Sequence, residues 1–260
     1  MLIWKHPCQQ PTSSKHLIVN LLALPTLITL FLFSFFSERW RPLNAPGVTK
    51  NVIIATNANG SLCHYHTTSG KLLNKIHDEL NQLFTADYKP DGTEFITAGA
   101  DAIIRVYDEQ TRQLKMSLEG GGTGEPGHSN RVFCAKFCQD DERLIVSGGW
   151  DKNIKVWDTR NPSPVRSIVG PFVCGDSIDI FDGYILSGQY ESDKQLQLWD
   201  FGNGEWVEDI NFDDNLPSAK PCHVYACQFQ KTTGDLIIAG GAGSNEIKVF
   251  NGDDLFKPCA

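Results

Sequence analysis

The sequence has no cluster of lysine or arginine, no Cys-x-x-Cys pair, no His-Glu-x-x-His, no Gly-x-Ser-x-Gly, and no glycine-rich phosphate loop followed by Lys-Ser/Thr. Each absence removes a class of function. The 260 residues hold 23 Lys and Arg against 31 Asp and Glu, a net charge of −8. In residues 1–41, Lys5, Lys15, Arg39 and Arg41 face Glu38 alone, so the remaining chain carries 19 positive and 30 negative side chains. An acidic body without a basic patch repels phosphate backbones, and no nucleic acid partner is expected. The missing motifs remove the common hydrolase, metalloprotease and nucleotide-hydrolysing chemistries, so neither an enzyme nor a cofactor is expected. Residues 120–124 (GGGTG) read as a flexible loop, and the pairs Asp140-Asp141 and Asp213-Asp214 as solvated turns.

Cysteine is present but not organised. Cys8, Cys63, Cys134, Cys138, Cys174, Cys222, Cys227 and Cys259 are scattered. Cys134/Cys138 and Cys222/Cys227 have the wrong spacing for a zinc knuckle, and no histidine pair completes either. Most sit in apolar runs, where a thiol behaves as a small core hydrophobe. No metal is expected, and the pattern favours reduced thiols and a cytoplasmic setting.

Long uncharged runs are also scarce, with one exception. Residues 17–36 (LIVNLLALPTLITLFLFSFF) lack any charge, and as a helix they would reach the roughly 30 Å of a bilayer core. Asn20 and Pro25 weaken the run without disqualifying it. As a membrane anchor it would leave the N-terminus in the cytoplasm, given the flanking charges. As a signal peptide it is long, and Phe35-Phe36-Ser37 is a poor cleavage site. As a leader, residues 1–41 stand apart from a soluble β domain over 42–260. An anchor would place that domain in an oxidising lumen, against the cysteine pattern. Asn59-Gly60-Ser61 would there be a glycosylation sequon, although the same tripeptide makes a hairpin turn.

What the chain has in abundance is a repeat. Residues 147–158 (SGGWDKNIKVWD) combine small polar residues, a turn Asp and alternating apolar positions that end in an aromatic. Residues 97–108 (TAGADAIIRVYD) match position for position, and three further copies end at Tyr65, Trp199 and Phe250. The closing aromatics fall at 65, 107, 157, 199 and 250, spacings of 42, 50, 42 and 51. Residues 120–124 and 213–221 pad the two long intervals with loop composition. Ile154/Val156, Ile104/Val106 and Leu196/Leu198 alternate with polar neighbours, which is the period of half-buried strands. Further strand-like runs upstream and downstream predict three or four antiparallel strands per unit.

These residues resemble the WD-repeat β-propeller family across about residues 42–260. The period, the Trp157-Asp158 and Trp199-Asp200 closures, and Gly127-His128 with its histidine 29 residues before Trp157 carry the resemblance. It implies an all-β propeller of about five blades, an open or truncated ring, preceded by an apolar N-terminal helix. It implies a buried hydrogen-bonded tetrad of His128, Ser147, Asp151 and Trp157, structural rather than catalytic. Thr97, Asp101 and Tyr107 keep three members of a second set, with His77 as the fourth. It also implies a non-enzymatic scaffold that docks a protein or peptide on one surface. The positions that dress that surface are Gln82, Phe84, Ala100, Arg131, Phe133, Trp150, His223 and Tyr225, aromatics and arginine being the residues enriched at interface hot spots. Phe84, Phe133 and Tyr225 could equally pack inward between blades. Trp157-Asp158-Thr159-Arg160 further resembles substrate receptors of cullin–RING ubiquitin ligases, in which Asp158 and Arg160 would contact the adaptor. A membrane-tethered propeller is the remaining alternative.

Overall fold

The computed structural model describes residues 35–47, 49–121, 124–212, 220–252 and 257–258. The alternating runs form twenty strands in five antiparallel sheets, each ordered as the chain runs. The first sheet holds β1 (Phe35–Trp40), β2 (Val52–Asn57), β3 (Ser61–His66) and β4 (Lys71–His77). The second holds β5 (Leu83–Tyr88), β6 (Glu94–Gly99), β7 (Ile104–Asp108) and β8 (Leu114–Leu118). The third holds β9 (Val132–Phe137), β10 (Leu144–Gly149), β11 (Asn153–Asp158) and β12 (Pro164–Val169). The fourth holds β13 (Ile178–Phe181), β14 (Tyr184–Gly188), β15 (Leu196–Asp200) and β16 (Trp206–Ile210). The fifth holds β17 (His223–Phe229), β18 (Leu236–Ala242), β19 (Ile247–Asn251) and the two-residue β20 (Lys257–Pro258).

One local device recurs in all five. The hairpin between the second and third strands carries a left-handed residue: Gly60, Ala102, Lys152, Lys194 and Asn245. The turn aspartate offsets the strain of a non-glycine there by bonding ahead: Asp151 Oδ1 accepts from the Asn153 amide at 3.2 Å, and Asp101 Oδ1 from the Ile103 amide at 3.2 Å. Asn59-Gly60-Ser61 is such a hairpin turn, with Asn59 Oδ1 accepting from the Ser61 amide at 3.0 Å.

Successive sheets pack through their first strands, β1 on β5, β5 on β9, β9 on β13 and β13 on β17. Between them lie four apolar layers. Ile54 and Leu62 meet Leu83 and Phe95 at the first junction, and Ile96 and Ile104 meet Phe137 and Trp157 at the second. Val146 and Ile154 meet Ile178 and Trp199 at the third, and Leu186 and Leu196 meet Val224 and Phe250 at the fourth. Two junctions are also stitched by a carboxylate: Asp87 Oδ2 accepts from the Phe137 amide at 2.9 Å, and Asp179 Oδ2 from the Phe229 amide at 2.8 Å. Among the described residues, no strand of the first sheet packs on the fifth to a comparable extent.

The N-terminal expectation needs correction at its end. Phe35 and Phe36, the last residues of the expected apolar helix, belong to β1, whose residues 37–40 pair with Ile53–Thr56 of β2. The expected leader 1–41 therefore supplies an inner strand of the first sheet. The rest of the run, 17–34, lies outside the described residues. Among those described, no helix is long and apolar enough to cross a membrane. Among the described residues, Cys63, Cys134, Cys138, Cys174 and Cys227 are free thiols.

Close approach of neighbouring sheets depends on small residues facing the junction. A Cβ on Gly188 would stand 2.5 Å from Val224 Cγ1 of the next sheet, and one on Gly148 2.5 Å from Ile178 Cδ1. Gly188→Val is expected to overpack the fourth junction and lower stability by about 1–3 kcal/mol, read as a reduced midpoint in urea unfolding.

Candidate functional site

The third sheet brings its four sequence-marked residues together. His128, just ahead of β9, lies beside the end of β10 and the turn into β11. Its Nδ1 stands 2.8 Å from Asp151 Oδ2, and its Nε2 2.7 Å from Ser147 Oγ. Trp157 Nε1 donates to the same Ser147 Oγ at 2.8 Å. Because the Asp151 carboxylate only accepts, the imidazole proton sits on Nδ1 toward it, and the neutral Nε2 accepts the serine hydroxyl proton. Burial alone would raise the Asp151 carboxyl, but the histidine and two backbone amides outweigh it and hold it below the ordinary range. His128 and Ser147 are buried, so a substrate has no path to the hydroxyl. The set satisfies its own buried polar groups within one sheet.

Other sheets repeat it in part. Trp199 Nε1 donates to Ser187 Oγ at 2.8 Å. In the second sheet, Asp101 pairs with Arg105 at 2.6 Å. His77 is not a fourth member there: it is exposed on β4, and its Nδ1 lies 3.3 Å from Ser61 Oγ of β3. A different polar centre serves the first junction, one that sequence reading did not find. Glu109 gathers Arg41 at 3.0 Å, His64 at 3.3 Å, Tyr88 at 3.4 Å and Arg112. Burial pushes the His64 imidazole below its ordinary value, more than Glu109 raises it.

The candidate surface residues gather at the end of the sheets where the first strands begin. Phe36 of β1 meets Phe84 of β5 edge-on at 5.1 Å, and Phe84 stacks on Phe133 of β9 at 4.6 Å. Phe133 continues to Trp150 at 5.0 Å, and Trp150 to Phe172 at 5.8 Å. The Arg131 guanidinium sits 5.3 Å from the Trp150 ring. Beyond this ladder, Tyr190 contacts both His223 at 4.8 Å and Tyr225 at 5.0 Å. The members differ in access. Phe84 is buried, Phe133, Trp150 and His223 are half-buried, and Gln82, Arg131 and Tyr225 are exposed. Phe84 is thus a platform beneath its neighbours. Phe36, Phe172 and Tyr190 were not anticipated. Tyr190 holds the pre-turn position of Trp150, displaced from view by the extra residues of its turn.

Below the ladder the first strands enclose an ionic cluster. Arg39 bonds Asp176 at 2.8 Å and lies 3.4 Å from Asp87. Lys136 reaches Asp176 at 3.1 Å, and Lys231 reaches Asp179 at 2.7 Å. Burial raises the Asp87 carboxyl against the pull of Arg39. At Asp176 burial acts the same way, but Lys136 and Arg39 outweigh it and hold the carboxyl at about 2. Asp158 and Arg160 form a two-pronged pair within one turn, Arg160 Nε lying 2.9 and 3.1 Å from the carboxylate oxygens. The arginine is 66% exposed. Among the described residues, no group of His, Cys, Asp and Glu is arranged to hold a metal.

Residues 123–158, which contain the complete polar set, match the family described as "WD domain, G-beta repeat". The chain is similar to Nuclear distribution protein PAC1 of Candida glabrata, 32% identical over 116 residues, covering 44% of this chain and 24% of that protein. It is similar to the LEC14B homolog of Prunus armeniaca, 32% identical over 125 residues, or 45% and 24%. It is also similar to Methylosome protein WDR77 of Xenopus laevis, 30% identical over 111 residues, or 41% and 30%. The match therefore spans between 24% and 30% of these relatives' lengths.

Two outcomes are expected. Ser147→Ala strands both Trp157 Nε1 and His128 Nε2 in the interior, and should lower stability by about 2–4 kcal/mol in urea unfolding. Asp176, held below its unfolded value, contributes stability above about pH 4 and loses it as pH falls toward about 2. With 44% of its side chain open, water screens the pair, so the readout is the pH profile. The stability gap between wild type and Asp176→Asn should be present at neutral pH and shrink below about pH 4.

Proposed function

For a chain that belongs to the WD-repeat family, we propose a docking scaffold that binds a protein or peptide at the end of its sheets where the first strands begin. We read the five sheets as successive blades of an open propeller arc. Such a fold hosts many functions, so the site must carry the argument. The observation that carries it is the aromatic ladder, with Trp150 held between Phe133 and Phe172 and capped by the exposed Arg131. Tryptophan and arginine that are already packed lose little freedom on binding, which is what makes a hot spot. His223 adds polarity: among the described residues, its buried Nδ1 has no hydrogen-bond partner. The acidic body adds a long-range preference for partners that are not themselves acidic.

The ligase-receptor alternative is supported less. The Asp158–Arg160 pair satisfies both charges within one turn, so its geometry is accounted for without an adaptor. A membrane tether through the apolar run would add a location to the scaffold and leave its docking chemistry unchanged.

Peptides selected from a random display library on the full chain test the reading. Trp150→Ala should weaken selected peptides by about tenfold or more, and Arg131→Glu should also weaken them, while Arg160→Glu should not. Peptides indifferent to both Trp150→Ala and Arg131→Glu would place the docking surface elsewhere.

A further inference from the structure

The first junction buries an imidazole beside more positive charge than negative. His64 of β3 is wholly covered, and its surroundings come from every element packed around it. The turn after β7 contributes Glu109 and Arg112, the segment after β1 contributes Arg41, and β5 contributes Tyr88. From β6 comes Phe95, edge-on to the imidazole at 5.2 Å, and β4 sets the neutral Asn74 opposite it in the register. Burial alone would raise the Glu109 carboxyl, but His64 and Arg112 outweigh it and hold it below the ordinary range, so it stays ionised. With a neutral imidazole the set holds two cations and one anion.

The hydrogen bonds fix where the imidazole proton lies. The Glu109 carboxylate only accepts, so the proton sits on Nε2, 3.3 Å from Oε2. Nδ1 is left as a bare acceptor, and among the described residues this buried atom has no hydrogen-bond partner. A second proton would have to sit there. It would find no acceptor, and it would put a third cation into a buried set with one anion. In an opened chain, water receives the same charge freely. The closed junction therefore disfavours the imidazolium: burial, reinforced by Arg112 and Arg41, outweighs the pull of Glu109.

We propose that His64 is a proton-operated release for the first sheet, and that proton uptake at Nδ1 opens the junction between the first and second sheets. The first sheet ends the stacked series, and β1 and β2 pack on β5 of the second. Arrays built from neighbour contacts open from their ends. Opening also parts Arg39 from Asp87 and Asp176, groups that water then solvates. The sign follows from linkage. An imidazole disfavoured as a cation in the folded state supports the closed junction above its unfolded value of about 6.5, and that support is lost as pH falls below it. One proton taken up on opening raises the open population by up to about tenfold per pH unit. Opening carries Phe36 away from Phe84 and uncovers the buried ring at the start of the aromatic ladder. The release does not depend on what the ladder docks.

Hydrogen exchange of the full chain, read by mass spectrometry at about pH 6.5 and about pH 5.5 and corrected for intrinsic rates, tests the release. Amides of β2 and β3 should lose protection severalfold, with about tenfold as the limit for one proton. Those of β14 and β15, in a sheet that holds no histidine, should change far less. His64→Gln keeps an amide donor for Glu109 but takes up no proton, so the pH dependence of β2 and β3 should vanish whatever its absolute stability. Equal pH dependence in wild type and His64→Gln would overturn the proposal. So would protection of β2 and β3 that is constant with pH, or lost equally in all five sheets. Imidazole nitrogen spectra of the wild type give a reading that needs no variant. One histidine should stay neutral, with its proton on Nε2, below about pH 6 while the sheet is closed; if every histidine is half protonated by about pH 6.5, the proposal fails.

Discussion

Each four-stranded sheet in this chain has two faces to bury and can bury them only against neighbouring sheets. At about 25 cal/mol per Å² of apolar area, one sheet alone cannot offset the entropy of ordering its strands. Stability therefore resides in the four junctions, where the first strand of one sheet lies against the face of the previous one. This requirement explains the small residues Ala98, Gly148 and Gly188 near the ends of the second strands that face a following sheet. At Gly148 and Gly188 the junction closes because one partner is small enough for a branched side chain to enter. On the fifth sheet the corresponding side chains, Ile238, Ile247 and Val249, remain partly exposed.

Close packing forces polar groups inside, and the chain satisfies them differently from junction to junction. The third sheet uses a local set, His128, Ser147, Asp151 and Trp157, in which every proton has an acceptor. The first junction uses an ionic set around Glu109, drawn from both flanking sheets. Along the inner strands, Arg39, Lys136 and Lys231 balance Asp87, Asp176 and Asp179. These arrangements prevent losses more than they add gains, because a buried group without its partner is far more unfavourable than the net worth of the bond.

With the interior closed in this way, rigid strand ends and short hairpins present the remaining side chains. Trp150 stands in a turn fixed by Asp151 and by the left-handed Lys152, so its ring is held by backbone geometry as well as by stacking. A docking surface carried by such turns is already ordered before a partner arrives.

The repeat and its strands were legible in the sequence because the information is local: a period of two, a turn residue and a closing aromatic all lie within a dozen positions. The four residues of the third sheet's polar set also lie close in the chain, His128 standing 29 positions before Trp157. The inner strand β1 was hidden because Phe35 and Phe36 continue an uncharged run without a break; only its pairing with β2 separates strand from leader. The Arg39–Asp176 contact joins residues 137 apart in the chain, and no spacing rule reaches that far. Phe84, Phe133 and Tyr225 hold one repeat position, yet the first is 6% exposed and the last 39%. Local pattern assigned these three residues the same place on a strand. Which of them meets solvent was decided by the rings of neighbouring sheets, because burial is a property of what packs on a side chain and not of where it sits in its own repeat.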